Sequence, residues 1–214
     1  MVALKSYEKK NLTNEQAAEA LHKEIYILAA LRHPNIVRLH EVIDCRTHVH
    51  LVMELCNGTN LYHILKKRKP DQRLPEPLAA RIFKKIVSAV AYMHERSIIH
   101  RDLKLDNILI DQKGEDFVVK LIDFGFATRC EKDEKINSKC GTPQYMDPDL
   151  TKHNAYFGQA ADNWALGVIL FIMVTGKLPF FGEFETDLNR RIQRATYQYP
   201  DDLKEKDGSD YTPS

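Results

Sequence analysis

None of the nine glycines, at positions 58, 114, 125, 141, 158, 167, 176, 182 and 208, falls in a G-x-G-x-x-G pattern. The chain therefore has no glycine-rich loop of the kind whose backbone amides cradle phosphates. Its four cysteines, at 45, 56, 130 and 140, show neither C-x-x-C spacing nor the density of a secreted disulfide scaffold. Reduced thiols in an intracellular, cytoplasmic setting are expected, with no disulfide. The 31 basic residues almost cancel the 30 acidic ones, which leaves no field to draw nucleic acid or an anionic membrane as the main partner. The longest apolar run, Trp164 to Val174, is too short to cross a bilayer and reads as a buried helix. No long apolar segment follows Met1 to Ser6, so a secretory signal is not expected. There is no internal repeat and no low-complexity tract.

The 214 residues, 43% hydrophobic and 29% charged, can bury a core in one or two lobes. Val2 to Lys5 has strand character. A capping box, Thr13-x-x-Gln16, opens a helix in which Ala17, Leu21, Ile25 and Leu28 recur at helical spacing up to His33-Pro34. Ile36 to Val42 and Val49 to Leu55 read as strands, the second running into Cys56-Asn57-Gly58. A short helix is expected from Leu61, and a long one from Pro77 to Glu95 with Leu78, Ile82, Ile86, Val90 and Met93 as its core stripe. Ile108 to Ile110 and Phe117 to Ile122 make two strands of a hairpin around Gln112 to Glu115. Thr128 to Lys139 is polar, aperiodic and expected to be a mobile loop. Asp162-Asn163 opens the apolar helix, with Asp162 in a first turn where the helix dipole favours an acid. A last helix is expected over Leu188 to Tyr197, before a charged tail.

The stretch that organises these elements is His100-Arg101-Asp102-Leu103-Lys104-Leu105-Asp106-Asn107, followed 16 residues after Asn107 by Asp123-Phe124-Gly125. The intervening hairpin brings an acid, a base, an amide and a second acid to one edge. That set suits phosphoryl transfer, in which an Asp orients the attacking hydroxyl, a Lys neutralises the moving phosphate, and an Asn and an Asp hold Mg²⁺.

These two motifs resemble the catalytic loop and the metal-binding motif of eukaryotic protein kinases. Lys104, two residues after the Asp, resembles the serine/threonine branch. The look of His33-Pro34-Asn35-Ile36-Val37 and of Leu105 to Asp111 is similar to the calmodulin-dependent and AMP-activated branch. The resemblance implies an α+β, two-lobed fold: an incomplete small lobe over 1–55 with an antiparallel sheet and one helix, a hinge at 56–58, a mostly helical large lobe over 59–200, also incomplete, and a disordered polar tail over 201–214. It implies ATP and Mg²⁺ as cofactors and a protein bearing a Ser or Thr acceptor as substrate. Asp102 and Lys104 would be catalytic, and Asn107 and Asp123 would bind Mg²⁺. Lys5, paired with Glu24, would hold the α- and β-phosphates. Ala3, Met53 and Leu109 would line the adenine site, with Glu54 and Cys56 offering hinge backbone.

Ser138 would be a phosphosite read by Arg101, and Thr142 would close the same segment. Leu28, Leu39, His100 and Phe124 match the family's stacked apolar column, with Asp162 at its base. Asp149, which ends Asp147-Pro148-Asp149, is expected to be a partly buried acid without its usual arginine. Asp106 favours basic residues near the acceptor, although Asn60 stands where many basic-directed relatives carry Glu. Family members carry a glycine-rich flap before the Val2 to Lys5 strand and further helices after Tyr199-Pro200. Two readings follow: a serine/threonine protein kinase, or a non-catalytic kinase-like fragment that acts as a binding module.

Overall fold

The computed structural model describes residues 1–113, 116–152 and 154–203. Strand β1 (Val2–Glu8) pairs antiparallel with β3 (His48–Glu54), which pairs on its other side with β2 (Leu39–Asp44). Alternation along β1 turns Ala3, Lys5 and Tyr7 to the half-buried face, while Val2, Leu4 and Ser6 face outward. Helix α1 (Glu15–Ala30) covers this sheet and buries Leu21, Ile27 and Leu28. It opens one residue later than the capping box predicts: Asn14, not Thr13, is the cap, its side chain accepting the Ala17 amide at 2.7 Å. A short side-chain oxygen at that position satisfies an amide the helix cannot. Ile36, expected in β2, instead makes an isolated bridge to Leu121.

Residues 55–58 lead from β3 to the two-residue β4 (Thr59–Asn60) and α2 (Leu61–Lys67). Gly58 is required there, because a Cβ would stand 2.5 Å from the backbone carbon and oxygen of Ile110. Helix α3 (Glu76–His94) buries Ile82, Ile86, Val90 and Met93 along the expected stripe, with Leu78 only half-buried. After β5 (Ile98–Ile99) comes the hairpin of β6 (Ile108–Lys113) and β7 (Asp116–Leu121). Its predicted turn residues Gly114 and Glu115 lie outside the described residues.

The expected loop over 128–139 is tied down at two points. β8 (Thr128–Arg129) pairs with β5, and β9 (Lys135–Ile136) pairs with β10 (Tyr156–Phe157). After the single turn of α4 (Pro148–Thr151), the apolar helix α5 runs from Gly158 to Thr175. It is long and apolar enough to cross a membrane by composition, yet 56% of it is buried inside the protein, against α3, β5 and β10. Starting at Gly158, it places Asp162 in its second turn, so the dipole explanation for that acid does not hold. Helix α6 spans Glu185–Gln193, three residues earlier at its start and four shorter at its end than expected. Of the predicted tail, Asp201–Leu203 forms a helical turn, and residues 204–214 lie outside the described residues.

Candidate active site

The loop after β5 is held from below by one buried carboxylate. Asp162 accepts the His100 amide through Oδ2 and the Arg101 amide through Oδ1, both at 3.0 Å, and His94 Nε2 meets Oδ2 at 2.8 Å. Arg101 has φ 67°, a left-handed backbone that costs a non-glycine residue about 1–3 kcal/mol. Two hydrogen bonds to a buried charge are enough to offset that cost. The His100 ring is wholly buried, lies 5.1 Å from the Phe124 ring, and accepts the Asp102 amide at Nδ1 over 3.3 Å. Burial pushes its pKa down, so the ring is neutral.

Three groups converge on the Asp102 carboxylate. Lys104 Nζ donates to Oδ2 at 2.7 Å, Thr142 donates to Oδ1 at 2.8 Å, and Lys104 also donates to Thr142 Oγ1 at 3.0 Å. Asn107 Nδ2 reaches the Asp102 carbonyl at 2.8 Å and its Oδ2 at 3.2 Å. That commits the amide nitrogen and leaves the amide oxygen as the donor Asn107 can offer a cation. Gly141, at φ 107°, lets the segment carrying Thr142 pass the Arg101 carbonyl, which a Cβ would meet at 2.7 Å.

Above this group, Lys5 Nζ bridges two acids, Glu24 Oε1 at 2.8 Å and Asp123 Oδ1 at 3.0 Å. Burial disfavours the Lys5 ammonium, but the carboxylates of Glu24 and Asp123 that it donates to outweigh it, and its pKa is raised. Burial alone would raise the Asp123 pKa; Lys5 instead holds it below the usual carboxylate range. Glu24 is paired with Lys5 as the resemblance implies, and it is buried, at 3% exposed, rather than a solvated acid on the surface of α1. Ala3 and Met53 are register partners across β1 and β3, and Leu39 faces Met53 from β2. Leu28 and Phe124 lie in the main core, and Leu39 and Met53 pack against it. Leu109 is half-buried in β6. The Glu54 side chain is tied to Lys120 at 2.7 Å, and burial pushes the Cys56 thiol up, keeping it protonated.

Arg101 donates Nε to the Phe126 carbonyl at 2.6 Å and Nη1 to the exposed Ser138 hydroxyl at 2.7 Å. One acid differs from expectation. Asp149 is exposed in the first turn of α4, so no buried unpaired carboxylate arises there. The buried acid is Asp147, which caps α4 by accepting the Leu150 amide at 2.8 Å and whose pKa burial raises. Asn60 spends its side-chain oxygen on capping α2. Sequence reasoning also missed Tyr7, whose hydroxyl donates to Glu24 Oε2. The signal was present, since Tyr7 stands two residues from Lys5 on a strand and so shares its face.

A sequence model of the protein kinase domain matches residues 1–212. The chain belongs to the protein kinase family. Among curated relatives, this kinase domain is 38% identical over 204 residues to CBL-interacting protein kinase 25 of Oryza sativa subsp. japonica, covering 93% of this chain and 39% of that protein. It is 37% identical over 200 residues to NUAK family SNF1-like kinase 2 of Rattus norvegicus, covering 94% of this chain and 31% of that one. Both relatives fit the calmodulin-dependent and AMP-activated branch. The chain thus spans between about a third and two-fifths of the length of the curated relatives it matches. Among the described residues no cluster of three or more His, Cys, Asp or Glu side chains could hold a metal by itself. Mg²⁺ keeps several waters and is bound by one or two carboxylates together with substrate phosphates. Asp123, with its half-exposed carboxylate, and Asn107 are the donors this kinase domain offers.

Proposed function

We propose that the chain transfers the γ-phosphate of ATP to serine or threonine hydroxyls of proteins. The observation that carries this reading is the convergence of Lys104 and Thr142 on Asp102, within 2.7–3.0 Å, below a Lys5 shared by Glu24 and Asp123. Asp102 accepts a hydrogen bond from the substrate hydroxyl, orients its oxygen for in-line attack and takes its proton. Thr142 and Lys104 fix the carboxylate's rotation, and the Lys104 ammonium lies beside the path of the phosphoryl group, where it offsets negative charge.

Lys5, held by Glu24, positions the α- and β-phosphates. Asn107 and Asp123 would hold Mg²⁺, which neutralises charge on the phosphates. Ala3, Met53 and Leu109 supply apolar surface for adenine, while the Glu54 and Cys56 backbone offers it hydrogen bonds. Asp106, exposed beside Asn107, favours basic residues near the acceptor.

The test compares Mg·ATP-dependent phosphate transfer to a Ser/Thr peptide pool by the wild-type chain and by Asp102→Asn. Removing the proton acceptor is expected to lower kcat by about 100- to 10,000-fold. Equal transfer by both proteins would overturn the catalytic reading and leave the non-catalytic binding module.

A further inference from the structure

Glu24 is a carboxylate in the interior, and a charge buried there is tolerated only when each oxygen has a partner. Lys5 satisfies Oε1 at 2.8 Å. The partner of Oε2 is the Tyr7 hydroxyl. Tyr7 lies one strand repeat beyond Lys5, packs its ring against the main core, and has the Lys5 ammonium 5.6 Å from its ring centroid. One residue therefore touches both members of the ion pair, one through its hydroxyl and the other through its π face.

We infer that Tyr7 is a positioning residue that locks the Glu24 carboxylate in the rotamer that pairs with Lys5. Lys5 is contested between two acids, Glu24 above and Asp123 below. If Oε2 loses its donor, Glu24 has reason to turn toward water. Lys5 is then drawn to Asp123, which would occupy the carboxylate proposed to face Mg²⁺ and withdraw the ammonium from the phosphates. Burial and the neighbouring Glu24 push the Tyr7 hydroxyl up to about 12, so it stays a donor across the working pH range.

The inference rests on the proposed nucleotide site, so its test reads nucleotide binding separately from catalysis. The Kd for fluorescent Mg·ADP, the KM for ATP and the melting temperature are measured for wild type, Tyr7→Phe, Glu24→Gln and the double variant. Tyr7→Phe keeps the ring and removes only the hydroxyl. It is expected to weaken Mg·ADP binding and raise the KM for ATP about tenfold, the usual effect of losing a hydrogen bond to a charged group. The peptide KM should stay within twofold. Tyr7→Leu, which lacks the hydroxyl but packs differently, is expected to show a loss of the same size.

In the Glu24→Gln background, Tyr7→Phe should add less than a twofold loss, because Tyr7 acts through Glu24. Unchanged Mg·ADP affinity in Tyr7→Phe overturns the inference, as does a full tenfold loss in the Glu24→Gln background. A wild-type chain that binds no Mg·ADP overturns the site reading and this inference together. Binding without Asp102-dependent transfer overturns only the catalytic proposal.

Discussion

Arg101 donates two side-chain hydrogen bonds to the segment that follows Phe124, one of them to the Ser138 hydroxyl at 2.7 Å. A phosphate on Ser138 would bring about −1.5 to −2 charges and three acceptor oxygens to a guanidinium already aimed at that position. We propose Ser138 as a regulatory phosphosite on this geometry. The phosphorylated protein is expected to turn over faster than Ser138→Ala, and mass spectrometry showing an unmodified segment in fully active protein would refute it. At this scale the sequence was most legible where chemistry lies in contiguous motifs, as for Asp102, Lys104, Asn107 and Asp123. It was least legible where orientation decides. Asp147 and Asp149 flank one proline, and only the cap that Asp147 gives to Leu150 shows which acid turns inward. Tyr7 reads as strand filler until its hydroxyl is seen on Glu24.

Long elements were foreseen because their apolar residues report their own burial, as a periodic stripe in α3 and as a continuous run in α5. The strands β8 and β9 were not, since two residues carry no periodicity and the partners that make them strands, β5 and β10, are encoded elsewhere. The same reasoning explains α6, whose start is marked by no side-chain cap. Gly58 offers a sharper case. It stands in the segment read as the hinge, and what it provides is a close approach of two backbones, at Ile110. Gly58→Ala places a methyl group where rigid backbone cannot yield, so we expect a loss of about 1–3 kcal/mol. Thermal unfolding should show a fall of several degrees, and an unchanged melting temperature would contradict the approach.

For the whole molecule, the buried histidine links stability to pH. His100 has a pKa below the ordinary 6.5, and His33 is lowered in the same direction, in both cases chiefly by burial. Below pH ~6.5 the unfolded chain binds protons that these folded groups do not, so this stability is complete above that pH and is lost as pH falls. Melting temperature is expected to drop between pH 7.5 and 5.5, and His100→Phe should flatten the slope; an equal slope in the variant would exclude His100 as its source. The lowered pKa of Asp123 acts in a separate, more acidic window, below its ordinary 3.8. The two-lobed α+β architecture was legible in the sequence through the motif order. The Asp162 carboxylate under the catalytic loop was implied by the resemblance, but the bridge from Lys5 to Asp123 was not legible, because it joins residues 118 positions apart. That separation has a consequence during synthesis. At about 5–20 residues per second, Lys5 leaves the ribosome on the order of ten seconds before Asp123 is made. The nascent small lobe must carry Lys5 without its second acid throughout that interval, so the bridge can form only once residue 123 has been made.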